Sequence, residues 1–213
     1  KILGGGWSEH AGQSISRLVN VSTMGLRVTN AVLDDGVDGA VATLRGAVKR
    51  LGMPVIRAAV KQVMKELGRQ FVLGQDMPDA LNRAAKREKV GYTYSYDMLG
   101  EAAHTANDAE KYFDAYVRSI EALSRRAKGD VRSNPGISIK LSALHPRYEQ
   151  VNQARVMEEL SPRVLHLAKM AAEANMGLNI DAEEADRLDI SLSVIEEVLS
   201  DKSLKGWDGF GIV

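Results

Sequence analysis

The sequence predicts an α/β chain in two parts: a helical N-terminal region, then strand–helix units that form the first half of a barrel. Three observations predict it. Up to about Gly91, apolar residues recur at the three-to-four spacing of amphipathic helices. After Gly91, four short strand-like runs alternate with long helical patterns at roughly thirty to forty residues per unit, the rhythm of parallel βα repeats. Within those runs apolar and polar residues alternate, whereas a flat parallel sheet covered on both faces would show continuous apolar runs.

Residues 1–13, with "GGG" near the start, read as a flexible arm. A helical domain is expected over 14–91. Helical periodicity covers Ser14–Leu33 and Val37–Gly52, and Pro54 opens a third helix that runs to Gly74. "MPDALNRAAKREKVG" (Met77–Gly91) is a shorter helix ending at a glycine. The barrel half then spans 92–213. Its strands are expected at Tyr92–Met98, Gly136–Ser142, Gly177–Glu183 and Gly209–Val213. Between them lie three helices. The first has Asn107 as N-cap, with Glu110 at capping-box spacing, and stops at Gly129. The second runs from about Gln153 to Asn175, with Ser161–Pro162 marking a kink or restart. The third covers Glu184–Ser200.

Alternation sorts the faces. Ile137, Ile139 and Leu141 share one side of the second strand, and Ser138, Lys140 and Ser142 the other. In the third, Leu178 and Ile180 oppose Asn179, Asp181 and Glu183; in the first, the tyrosines Tyr92, Tyr94 and Tyr96 pack toward helices, opposite Asp97. Charge gathers at the C-terminal halves, the end that carries the active site in α/β barrels. Sequential strands are usually neighbours, so Lys140 and Asp181 meet in a polar mouth, the carboxylate compensating the ammonium. That pair suits a charged small molecule; it also suits a purely structural ion pair.

Composition narrows the remaining classes. Lysine plus arginine and aspartate plus glutamate each total 28, so no global charge steers the chain onto nucleic acid or lipid. With no cysteine there is no disulfide and no thiolate chemistry. No apolar run reaches the ~18 residues that a membrane span needs. His104, His145 and His166 lack metal-ligand spacing, so no metal site is expected. His145 reads equally well as a support behind Lys140 and as an ordinary loop histidine. Glu183 should face inward and Glu184 outward, which denies them a paired-carboxylate mechanism. The chain starts at Lys1 and closes on "WDGFGIV", an apolar strand with no successor, so a segment of a longer polypeptide is expected.

Four stretches carry a resemblance: "YSYDMLGEAA" (Tyr94–Ala103), "PGISIKLSALHPRY" (Pro135–Tyr148), "VMEELSPR" (Val156–Arg163) and "NIDAEEADRLDISL" (Asn179–Leu192). In order and spacing they resemble the proline dehydrogenase domain of the bacterial bifunctional proline utilization family, over everything from about Tyr92 onward. The resemblance implies a (βα)8 barrel of the TIM type that binds FAD. It implies oxidation of L-proline to pyrroline-5-carboxylate, with electrons passed to ubiquinone. Lys140 then matches the lysine that contacts the substrate carboxylate, and Asp181 the aspartate beside the substrate amine and the flavin. Ala182 and Val213 fall where the flavin is lined, and Asp97 and Glu101 in a loop that closes the site. The resemblance further implies a homo-oligomer, and a cytoplasmic enzyme peripheral to the inner membrane. No nucleic acid contact is expected in this segment. The competing expectation is a catalytically inert helical and oligomerisation module of the same enzyme.

Overall fold

A computed structural model describes residues 71–213, together with Lys61, Met64, Lys65, Gly68 and Arg69. The expected arm and the helices at Ser14–Leu33 and Val37–Gly52 lie outside the described residues. The chain divides into two compact units, Lys1–Gln75 and Asp76–Val213. In the first, the described positions from Lys61 to Phe71 are helical, as the pattern from Pro54 predicts.

The second unit opens with helix α1, Met77–Glu88. Asp76 caps it by accepting from the Asp79 amide at 2.9 Å, and Pro78 stands in the first turn, where a missing N–H costs nothing. It stops short of the expected Gly91, which has φ +93. The predicted boundary near Gly91 also differs from the observed division. α1 belongs with the strands: Arg126 donates to the Leu81 carbonyl at 3.3 Å and faces Glu88 at 3.6 Å.

Four parallel strands follow, β1 Ser95–Asp97, β2 Gly136–Ile139, β3 Leu178–Ile180 and β4 Phe210–Ile212, in sheet order β1-β2-β3-β4. Helices α2 (Ala106–Ser124), α3 (Leu141–Leu144), α4 (Gln153–Glu173) and α5 (Leu188–Leu199) connect them. Sequential parallel strands joined by helices are the run expected of half a barrel. Ile137, Ile139, Leu178 and Ile180 are completely buried against the helices, so the predicted apolar face is the observed one. Burying it against Leu123, Leu160, Leu167 and Val194 supplies the core.

Several boundaries differ from the expectation. β1 is shorter, and Tyr92 lies outside it, exposed under Arg87, leaving Tyr96 as its buried ring. α2 is capped by Thr105 rather than Asn107: Thr105 Oγ1 accepts from the Asp108 amide, and Asp108 accepts from the Thr105 amide. This reciprocal box satisfies two orphan donors at once and starts the helix earlier. α2 also ends at Ser124, before Gly129. Buried Asn134 holds the intervening loop, accepting from the Lys128 and Gly129 amides and donating to the Gly129 and Asn175 carbonyls. α4 does not restart at Pro162, which lies inside one continuous helix. The third expected helix divides into a 3₁₀ turn, Ala185–Arg187, followed by α5.

Candidate active site

The polar faces of the strands stack in tiers toward their C-terminal ends. Lowest, Ser95 Oγ lies 3.2 Å from Ser138 Oγ and accepts from Asn179 Nδ2 at 3.2 Å. Gly211 completes this tier by having no side chain, since a Cβ there would collide with Asn179 Oδ1. One step up stand Asp97, at the end of β1, Lys140, just past β2, and Asp181, just past β3. Lys140 Nζ donates to Asp97 Oδ1 and to Asp181 Oδ2, both at 2.7 Å.

The expected Lys140–Asp181 pair is therefore present, with a second carboxylate added. Asp97, placed in the first strand by alternation and matched to the closing loop by the resemblance, is the last residue of β1 and a partner of the lysine. Lys140 is 16% exposed, Asp181 19% and Asp97 47%, so Asp97 meets solvent far more than Asp181 does. Burial disfavours the ammonium, but the bonds to Asp181 and then Asp97 outweigh it and hold the lysine pKa above its ordinary range. An ammonium has three donors and two are committed to these carboxylates, so one remains for an anionic group.

The strand ends at Ile139 because the backbone turns there. Lys140 keeps extended dihedrals (φ −106, ψ 126), and Leu141 begins α3. Its amide, which no neighbouring strand takes up, donates to the Tyr116 hydroxyl at 3.1 Å. Tyr116 sits in α2 and is buried, and burial lifts its phenol to about 12, so it stays protonated. Its spacing fits the apolar face of α2, and nothing in that spacing points to the hydroxyl.

A third tier lies above the lysine. Glu183, 11% exposed, accepts from the Ser142 amide at 3.0 Å and from the Ser142 hydroxyl. Glu184 points outward, 64% exposed, and pairs with Arg187 at 3.0 Å, as the alternation predicted. Glu101 is exposed in the loop after β1. Ala182 and Val213 are exposed neighbours, joined by the Ala182 amide donating to the Val213 carbonyl at 3.1 Å. His145 does not touch Lys140. Its Nδ1 accepts from the Arg147 amide and its Nε2 faces Glu159 at 3.1 Å, which places the proton on Nε2. Among the described residues no group of three or more His, Asp and Glu is arranged to hold a metal ion.

A family model described as Proline dehydrogenase matches residues 80–213, and one described as DNA-binding domain of Proline dehydrogenase matches residues 1–71. The second match overturns the expectation that this segment is free of nucleic-acid features. The bifunctional protein PutA of Klebsiella aerogenes is 45% identical over 215 residues, covering 100% of this chain and 16% of the relative. That of Rhizobium meliloti is 47% identical over 214 residues, covering 100% of this chain and 17% of the relative. A solved structure of a variant of Bradyrhizobium japonicum proline utilization A is 52% identical, with a TM-score of 0.62 over 78% of this chain and 17% of that one. The chain thus spans 16–17% of the length of these curated relatives.

Proposed function

The chain belongs to the proline dehydrogenase family, and from that premise we propose that its barrel half supplies the substrate end of an enzyme that oxidises L-proline to pyrroline-5-carboxylate. The observation that carries the reading is one lysine ammonium held at 2.7 Å by two carboxylates at the C-terminal end of parallel strands. A zwitterionic amino acid matches it. Its carboxylate takes the third ammonium donor of Lys140, and its amine faces the Asp181 carboxylate. The two fixed charges orient the ring and exclude solutes of a single charge. Tyr116 keeps the lysine backbone in place beneath them.

The same reading includes FAD as the cofactor, and the described residues fit one edge of its ring system. Exposed Ala182 and Val213, lying side by side next to Asp181, would line it. Bound there, the flavin supplies the acceptor for the substrate hydride. Electron transfer to ubiquinone, a cytoplasmic location at the inner membrane surface and assembly as a homo-oligomer complete the proposal. Among the described residues no helix is long and apolar enough to cross a membrane. The test is Lys140→Ala and Asp181→Ala in the full-length gene product. Each should lower kcat/KM for proline by at least about 100-fold. Wild-type turnover in both variants, with flavin bound, would sink the assignment.

The match over residues 1–71 favours a second reading for that region: contact with double-stranded DNA. A mobility-shift titration with the full-length product should give binding that weakens steeply with salt. Its absence at low salt removes this reading without touching the first.

A further inference from the structure

Glu183 is a nearly buried carboxylate that the proposed chemistry leaves unused. Both its oxygens go to Ser142, one to the amide and one to the hydroxyl. Ser142, itself buried, holds a third segment in turn. Its Oγ accepts from the Ala102 amide at 3.0 Å, and its carbonyl accepts from the Ala103 amide at 2.9 Å. Three C-terminal connections, those after β1, β2 and β3, therefore meet at one serine.

The loop after β1 is fastened at both ends to the lysine segment. At one end Asp97 bonds Lys140; at the other Ala102 and Ala103 bond Ser142, two residues beyond that lysine. Between the fastenings lie Met98, Leu99, Gly100 and Glu101. Leu99 is 81% exposed, and Glu101 is exposed beside Ala102. Ala102 has φ +52, a left-handed conformation that an alanine keeps only when its surroundings impose it. Gly100, with φ +143, packs where any Cβ would collide with the Tyr112 ring. The span is short and its far anchor is strained, so its position depends on the acceptors that hold the anchor.

We propose that Glu183 is a positioning residue: by orienting Ser142 it fastens the loop after β1 beside Lys140 and so sets where Glu101 stands relative to the substrate. The hydroxyl is what needs orienting. A serine Oγ can donate in several directions, and the carboxylate fixes its proton so that its lone pairs face Ala102. Arg187 Nη1 stands 4.0 Å from the same carboxylate and balances it from the far side.

The test has a structural arm and a kinetic arm, and only the second rests on proline oxidation. In the full-length gene product, Ser142→Ala should speed amide exchange across residues 98–104 by about tenfold, the scale of one lost hydrogen bond. The KM for proline should rise by about five- to tenfold while kcat changes less than about twofold, as expected when a binding contact rather than the reacting groups is disturbed. Ser142→Thr, which keeps the hydroxyl, should restore both. Glu183→Gln keeps the volume but turns one acceptor into a donor against Ser142, and should loosen the same amides if Ser142→Ala fails to fold. Unchanged loop exchange in the folded variants overturns the clasp whatever the enzyme does. Faster exchange with unchanged KM overturns its role in binding. If the wild-type protein turns over no proline, the proposed function fails while the exchange arm still decides the clasp.

Discussion

Two buried bases sit beside carboxylates in this molecule, and their pKa values move in opposite directions. At the barrel mouth, Lys140 is raised above the ordinary lysine range; behind the second strand, His145 is lowered below its own. Burial disfavours the charged form of both and is the largest cause of the histidine's shift, so the two differ in how far neighbouring charges offset it. Lys140 has two carboxylates at 2.7 Å. His145 has one carboxylate at 3.1 Å, and Glu159 also accepts from Arg155 at 2.8 Å. Arg155 and Arg163 push the histidine down further. A carboxylate already serving an arginine compensates a second base poorly. The mouth keeps a permanent cation; the other site keeps a neutral ring.

The strongest way to break this contrast is to remove the cation. Lys140→Ala leaves Asp97 and Asp181 facing each other with no counter-charge. Proline turnover should fall by at least about 100-fold, because the substrate carboxylate loses its cation. Steady-state kinetics over a range of proline concentrations would show the loss. If turnover stays near wild type, the attraction credited to the triad is overstated.

Next in size is Tyr116→Phe, which deletes one oxygen and leaves the Lys140 amide without its acceptor. A buried donor left unsatisfied costs about 1–3 kcal/mol. The urea midpoint should fall accordingly, with the slope unchanged. A variant as stable as wild type would mean that the amide finds another acceptor, and that the phenol is packing alone.

The alkaline limb of stability sharpens the comparison without a large perturbation. A lysine whose pKa is higher folded than unfolded binds its proton more tightly when folded. The stability it contributes is whole below the ordinary lysine pKa of about 10.4 and is lost as pH rises from there through the folded value. The melting-temperature advantage of wild type over Lys140→Met should therefore hold from neutral pH to about pH 10 and shrink above it. A gap that closes at lower pH would place the folded lysine pKa below the unfolded one.

How much of this was legible follows the same division. Period-two alternation placed Lys140 and Asp181 on one face, because a strand has no other way to arrange successive side chains. It placed Asp97 there too, inside the expected first strand, but nothing in the pattern shows that its carboxylate reaches the same ammonium. The sequence from Ile137 to Ser142 continues to alternate after the backbone has turned at Lys140, since Leu141 is buried equally well from a helix. The strand therefore reads as longer than it is. The sequence points to Asn107 with Glu110 as the cap of α2, and only geometry shows that Thr105 and Asp108 bond reciprocally instead. The Glu183–Ser142 bonds were not legible at all. They depend on the heights at which two loops leave neighbouring strands, which no local pattern encodes.

The smallest expected effect tests the other half of the contrast. His145 has a lower pKa folded than unfolded, so the unfolded chain takes up the proton first. Its contribution is whole above the ordinary histidine pKa of about 6.5, and stability falls as pH drops from there toward the folded value. Arg155→Met should weaken that fall. It frees Glu159 to serve the imidazole alone and removes a positive charge from its surroundings, so the folded pKa rises toward the unfolded one. An NMR titration of the His145 Cε1 proton would read the shift directly. Should the pKa stay where it is, desolvation alone governs this ring and the sharing of a carboxylate explains nothing. Should it rise, the two bases differ for one reason: how many carboxylates each can call on, and what else those carboxylates are holding.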